Sequence, residues 1–484
     1  MDQLHFKSAT QLAKLIARKK ISALELLDYF LARVEKYNPR LNAIIWLDKD
    51  KARKRAKAAD AALRKGKRWG KLHGVPMTIK ESYQVAGSPT TWGVPAMKDN
   101  VTETTAVAAQ NMINAGVTLF GKCNVPLMLA DWQSYNANYG VTNNPWDLSR
   151  TPGGSSGGSS AALAAGLTGI DAGSDIGSSI RNPAHYCGVF GHKPTYGIVS
   201  MRGHALPGAV AGADISVVGP LARSAEDLDV ALDIMAGPDP DDGGAWSITL
   251  PKCDKTALKQ MRIAVKLSDP ASDLDGEYAD KLQGLVDRLA KAGAKVKEAA
   301  PDIDTGRLYD VYVRLLRAAT SGRMADSEID DIRKAVAAGE TSQFVTRTLD
   351  GVTVAHRNWL RLNNERHQMR LKFNAFFKDY DILLCPVAAS AAFPHDHEHE
   401  GQRWLRRITV NNKRVPPTDQ LFWAGYSGVV LLPSTVGPAG LTASGLPVGY
   451  QAIAAQGKDK TSIAFARMVE KEIGGGFVPP PGFD

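Results

Sequence analysis

Hydroxyl groups, glycines and one lysine are placed in this sequence as acyl transfer to a serine would require. The stretch Thr151–Thr195 holds a first glycine–serine loop, Gly153-Gly154-Ser155-Ser156-Gly157-Gly158. A second follows, Gly173-Ser174-Asp175-Ile176-Gly177-Ser178-Ser179-Ile180-Arg181. Glycines permit backbone conformations that other residues resist, so both loops can aim N–H groups and hydroxyls at one point. A free hydroxyl is a weak nucleophile at neutral pH and needs a proton acceptor. None of the ten histidines sits in a triad motif such as G-x-S-x-G. A lysine can serve if it is neutral, and burial disfavours its charged form. Lys80 follows the apolar run Val75–Ile79, a buried strand that would deliver it from its end, although taken alone it reads as a surface lysine at a strand terminus. Ser174, Ser178 and Ser179 compete as nucleophile on this reading. Taken alone, GGSSGG reads as a linker. A phosphate loop is disfavoured because the Gly-Lys-Ser/Thr ending is missing.

The combined pattern is more specific than its parts. GGSSGG, a short Ala-rich run over Ala161–Gly166, then D-x-G-x-S-I-R-x-P and C-G-x-x-G-x-K-P-T resemble the amidase signature family. The segments Gly74-Val75-Pro76…Lys80-Glu81, Gly121-Lys122-Cys123-Asn124-Val125-Pro126, Val218–Arg223 and Gly445–Gly449 are similar to it as well. The resemblance implies that Ser179 is the nucleophile, Ser155 the bridging serine and Lys80 the final acceptor. It also implies a cis Gly154–Ser155 peptide bond. The N–H groups of Ile176, Gly177, Ser178 and Ser179 would form the oxyanion hole. Ser156, Asp175 and Arg181 would support the loops, and Leu129, Asp131 and Trp132 would line the acyl pocket. The family needs no cofactor and no metal. Where the family has D-x-G-G-S, this chain has Asp175-Ile176-Gly177-Ser178-Ser179, so Ser178 projects a side chain beside the nucleophile. It either narrows the pocket or contacts substrate. Ser174 replaces the family's usual Thr. Asp131-Trp132-Gln133 and the Phe422-Trp423-Ala424-Gly425 segment are closest to the nylon-oligomer and aryl-acylamidase members. The expected substrate is a small molecule with an amide, anilide or carbamate bond. Two other classes stay open: a glutamine-hydrolysing subunit of a tRNA-dependent amidotransferase, and a non-catalytic scaffold.

The elements that must position these residues read as one large α/β domain, residues 1–484. The resemblance implies a mixed, twisted central sheet covered by helices on both faces. N-terminal helices lie within residues 8–65: one capped by Ser8, one capped by Ser22 and ended by Asn38-Pro39, and a basic one over 49–65. The signature core spans 72–237. Met261–Leu267, Gly276–Lys291 and Ala294–Glu298 read as strand, helix and parallel strand. A helical insert covers about 300–378. The chain returns to the core over 381–473, ending in a helix near Thr461–Ile473. Trp92, Tyr135, Trp404, Phe422, Trp423 and Tyr426 are candidates for aromatic pocket walls.

Composition narrows the class further. The formal charge of +9 is concentrated in Lys49–Lys71, without a nucleic-acid motif. It reads as the solvated face of a helix, so no nucleic-acid partner is expected. No apolar run approaches the ~18 residues of a membrane span. Four scattered cysteines have neither metal nor disulfide spacing, and Cys187 reads as a core thiol. A cytoplasmic location is the expectation. A homodimer is left open. His395-Asp396-His397-Glu398-His399-Glu400 looks metal-like but reads as a solvated loop.

Overall fold

The structure is a computed structural model that describes residues 3–339 and 343–484. Residues 340–342 of the expected helical insert, and residues 1 and 2, lie outside the described residues. Ser8 and Ser22 each close a capping box, on the helices Ala9–Ala17 and Ala23–Leu41. The second helix does not end at Asn38-Pro39, as expected. It runs through Pro39 to Leu41, and the left-handed Asn42 stops it. Asn38 stays helical and turns its side chain to the N–H groups of Ala43 and Ile44. The basic helix Lys49–Arg64 buries only Ala52, Ala56 and Ala59, so its charged residues face outward.

Two sheets organise the chain. The larger has eight strands in the order Lys295–Glu298, Arg262–Val265, Ile382–Cys385, Pro447–Ile453, Ser434–Leu441, Phe190–Lys193, Val217–Ala222 and Asp171–Asp175. The first three are parallel, as expected for the 261–298 unit, and the remaining pairs are antiparallel. Every residue of Asp171–Asp175, Val217–Ala222 and Pro447–Ile453 is buried, so both faces of this sheet are covered. The smaller sheet has the order Ile44–Leu47, Thr118–Cys123, Pro76–Lys80. Lys80 therefore sits on a separate three-stranded sheet.

The two sheets meet at the edge strands that matter most here. Met77 bridges Ile170, and the Thr78 hydroxyl donates to Asp171 Oδ2 at 2.6 Å. Lys80 and Asp175, the last residues of their strands, thereby reach the same region. The second glycine–serine stretch is less of a loop than its composition suggests. Gly173, Ser174 and Asp175 complete a strand, and helix Arg181–Cys187 begins six residues later. Likewise the Ala-rich helix starts at Gly157, inside the first loop, and ends at Ala164.

The insert folds as helices Thr305–Ser321, Asp326–Ala337, Gln343–Val352 and His356–Phe376. They pack with helix Leu421–Gly428 on a second apolar core that includes Val311, Tyr312, Leu315, Phe373, Phe422 and Trp423.

Candidate active site

Three chain segments converge at the seam between the sheets. Strand Pro76–Lys80 brings the lysine, the loop before helix Gly157–Ala164 brings Ser155, and the loop after strand Asp171–Asp175 brings Ser179. The Gly154–Ser155 peptide bond is cis. Gly154 is required by close approach, because a Cβ there would overlap the Asp131 carbonyl oxygen.

Lys80 is completely buried. Its Nζ donates to Ser155 Oγ at 2.6 Å and to Ser174 Oγ at 2.9 Å. Burial lowers its pKa to about 7; the charges of Asp175, Asp171 and Glu81 oppose that shift without cancelling it. Glu81 lies just past the end of the strand and makes no hydrogen bond with Lys80 among the described residues. Its carboxylate is nonetheless buried, accepting from the N–H groups of Thr91 and Trp92. Its charge also bears on the buried Lys122, whose pKa falls to about 8 through desolvation, with Glu81 opposing.

Ser179 is 5% exposed and Ser155 1%. Among the described residues no hydrogen bond joins their hydroxyls, although Ser156 N donates to Ser179 O at 3.1 Å. Lys80 is thus bonded to Ser155, while the Ser155 and Ser179 hydroxyls are not bonded to each other among the described residues. Catalytic hydrogen bonds are often long in free enzymes and tighten with substrate.

Asp175 fixes the loop that carries Ser179. Its carboxylate accepts from the N–H groups of Ser178, Ile180 and Arg181, and from Arg181 Nε and Nη2 at 3.0 and 2.8 Å. Burial pushes its pKa up, but the Arg181 charge and hydrogen bonds outweigh this and hold it below the usual carboxylate value. Arg181 is held in turn by Ala424 O, Ser427 Oγ and Gln451 Oε1. The pair is almost fully buried, so removing either partner would strand a charge at a cost of about 3–5 kcal/mol. Ser156 ties the two loops together through Ser174, at 3.4 Å to both its N–H and its carbonyl.

The expected oxyanion hole is smaller than four donors. The Ser178 N–H is already spent on Asp175 Oδ1 at 3.0 Å. Ile176, Gly177 and Ser179 keep N–H groups without a partner among the described residues. Their loop is braced from outside. Trp132 Nε1 donates to Gly177 O at 2.8 Å, and the Tyr312 hydroxyl to Ile176 O at 3.1 Å. Nothing in the sequence of the insert points to Tyr312, which reaches this loop only through tertiary packing. The second partner of Lys80, Ser174, was visible in sequence only as a competing nucleophile.

Ser178 adopts φ 73°, a region that favours glycine, and its buried hydroxyl has no partner. Left-handed backbone costs a non-glycine residue about 1–2 kcal/mol, and glycine's extra chain entropy offsets about 0.5–1. Ser178→Gly is therefore expected to stabilise the fold by about 1 kcal/mol in urea denaturation, and a loss of stability would show that the hydroxyl is paired.

The remaining candidates divide. Leu129, at φ 57°, and Asp131 and Trp132 are partly buried, and the Asp131 carbonyl lies against Gly154. The Asp131 carboxylate is committed to Arg406 Nη1 at 2.7 Å. Phe422, Trp423 and Tyr426 are completely buried in the second core. They pack the fold rather than walling a pocket. Tyr135 accepts from Arg406 Nη2 and packs on His397 at 4.1 Å between ring centroids. His395 and His397 line a surface cavity of about 700 Å³ with Arg407 and Arg414, and none of Lys80, Ser155 and Ser179 borders it. Among the described residues no group of three His, Cys, Asp or Glu side chains could hold a metal ion. A His192–Asp459 pair with Thr435 on the other ring nitrogen mimics a triad, but all three are completely buried.

Comparison with known proteins places the whole chain in one family. The amidase family profile matches residues 25–463. An acylamidase of Rhodococcus erythropolis is 32% identical over 97% of this chain and 96% of its own. A glutamyl-tRNA(Gln) amidotransferase subunit from Gloeothece citriformis is 30% identical over 92% and 93%. The solved structure of 6-aminohexanoate cyclic dimer hydrolase complexed with substrate superposes with a TM-score of 0.78 at 26% identity. It covers 99% of this chain and 100% of that one.

Proposed function

Because the chain belongs to the amidase family, we propose that it hydrolyses small-molecule amide bonds through an acyl-enzyme on Ser179. The observation that carries this reading is the buried Lys80 Nζ, 2.6 Å from Ser155 Oγ and with a pKa lowered to about 7. A neutral Nζ keeps a lone pair, so it can take the Ser155 proton while Ser155 takes that of Ser179. Ser174, the second partner, holds the amine in place. The negative charge developing on the carbonyl oxygen is met by the N–H groups of Ile176, Gly177 and Ser179. The proton returns through Ser155 to the leaving nitrogen, the C–N bond breaks, and the amine departs. Water then attacks the ester carbon. Its proton travels to Lys80 and back to Ser179, releasing the acid. Leu129 and Trp132 border the acyl group. Asp131 acts through its ion pair with Arg406.

Four free thiols fit a reducing, cytoplasmic compartment. Among the described residues no helix is long and apolar enough to cross a membrane.

The likeness to amidotransferase subunits supports a second reading, glutamine hydrolysis within a complex. A panel of anilides, aryl esters, carbamates and L-glutamine separates the two. The isolated chain is expected to cleave anilides and aryl esters without partners. Silence on the whole panel except glutamine, and that only with added partner subunits and tRNA, would favour the amidotransferase.

A further inference from the structure

Every carbonyl from Ile176 to Ser179 is held, each by a different partner. Ile176 O accepts from the Tyr312 hydroxyl at 3.1 Å and Gly177 O from Trp132 Nε1 at 2.8 Å. Ser178 O accepts from Asn182 N at 2.6 Å, and Ser179 O from Ser156 N at 3.1 Å. The peptide bonds between these residues are trans. In a trans peptide the N–H points opposite to the carbonyl in its plane. Fixing one carbonyl therefore aims the N–H of the next residue.

These planes are not equally secure. The Gly177–Ser178 plane is held at both ends, by Trp132 on its carbonyl and by Asp175 on its N–H. The Ser179–Ile180 plane is held at both ends too, by Ser156 N and by Asp175 Oδ2. Main-chain bonding to Asn182, on helix Arg181–Cys187, sets the Ser178–Ser179 plane. The Ile176–Gly177 plane is held at one end only, because the Gly177 N–H has no partner among the described residues. Its single anchor is a side chain 136 residues further along the chain.

That anchor is itself fixed. Tyr312 is completely buried, and its ring lies on helix Leu421–Gly428 where two glycines leave room. A Cβ on Gly425 would come 2.5 Å from Tyr312 Cδ1, and one on Gly428 3.4 Å from Cε2. Gly177 makes such an anchor necessary. It does not sit at positive φ. A half-turn of the Ile176–Gly177 plane would bring it there, and glycine adopts that region freely. The turned plane would aim a carbonyl, instead of an N–H, at the developing oxyanion.

We propose that Tyr312 is a positioning residue for the oxyanion: by holding the Ile176 carbonyl, it keeps the Gly177 N–H turned toward the carbonyl oxygen of the bound amide. This rests on the amide-hydrolase reading and makes the helical insert part of its machinery.

Tyr312→Phe keeps the ring and removes the hydroxyl. Loss of an oxyanion donor lowers kcat by about 10²–10³-fold, and a plane that still visits the right orientation loses less, so a fall of about 10–100-fold is expected. KM for 4-nitroacetanilide should stay within about threefold, because the ground-state carbonyl carries little of the charge. A merely loosened site would raise KM as well. The decisive variant adds Gly177→Ala. Its Cβ would meet Leu421 Cδ2 at 3.5 Å and the Tyr312 hydroxyl position at 3.7 Å, ordinary contacts. Alanine resists the positive φ of the turned plane, so the double variant should recover at least about threefold in kcat over Tyr312→Phe. Labelling of Ser179 by an ethyl alkylfluorophosphonate, whose phosphoryl oxygen gains charge at the same place, should slow and recover in parallel. Gly425→Ala, which crowds the ring and leaves the hydroxyl, carries the same expectations if Tyr312→Phe does not fold. An unchanged kcat in Tyr312→Phe, a loss confined to KM, or a loss that Gly177→Ala does not relieve would overturn the role. Labelling that slows and recovers without wild-type turnover of any amide would instead remove the hydrolase reading and leave the role standing. A wild-type Ser179 that does not label would remove both.

Discussion

Ser179→Ala is expected to lower kcat on an anilide by about 10⁵-fold, on the order of losses seen when a serine nucleophile is removed. The substitution takes away the atom that forms the new bond, so no acyl-enzyme can accumulate and no burst of amine should appear. The fold should not suffer. The Ser179 hydroxyl makes no hydrogen bond among the described residues, and its loop is held by Asp175 and by Tyr312 and Trp132 on neighbouring carbonyls. Removing it should shift stability by less than about 1 kcal/mol, as for substitutions away from a packed or bonded site. An unchanged melting temperature with abolished turnover is the expected pair of results. Turnover within tenfold of wild type would place the nucleophile elsewhere, with Ser174 and Ser178 the nearest hydroxyls in sequence.

The second large effect is on Lys80. Proton-transfer groups contribute about 10²–10⁴-fold, so Lys80→Met should reduce kcat/KM by about 10³-fold. The pH profile gives the sharper test. A lysine's ordinary pKa is about 10.4, and burial lowers that of Lys80 to about 7. Below that pH Nζ is charged and has no lone pair. Above it Nζ is neutral and can accept. Wild-type kcat/KM should therefore rise tenfold per pH unit in acid, bend near 7 and stay level into mild alkali. In Lys80→Met the residual rate should lose this bend. An optimum near pH 5 would demand a carboxylate base instead. Neither nearby candidate is placed for that. Asp175 is locked to Arg181 and Asp131 to Arg406.

Much of this site was legible because its chemistry depends on residues close together in sequence. Lys80, Ser155 and Ser179 sit in short motifs that are specific only in combination, and local caps announce helices such as Ala9–Ala17. What stayed hidden depends on contacts across the fold. That Asp175 takes the Ser178 N–H follows from how the chain curls after a strand edge. Tyr312 comes from an insert more than a hundred residues downstream. The strand Asp171–Asp175 was concealed by its glycine and serine, poor strand formers that sheet pairing overrides. One miss did have a signal. Ile408–Val410 and Lys413–Val415 form a hairpin across Asn411-Asn412, both at positive φ, the residue type that tight hairpin turns favour.

The central claim is that Ser179 attacks and Lys80, through Ser155, takes its proton. Covalent labelling with a fluorophosphonate, followed by peptide mass mapping, tests it most directly, because the reagent modifies only an activated hydroxyl. One adduct per chain is expected on Ser179, formed faster as pH rises through 7, absent in Ser179→Ala and slowed in Lys80→Met. An adduct on another serine, or labelling that persists in Ser179→Ala, would contradict it.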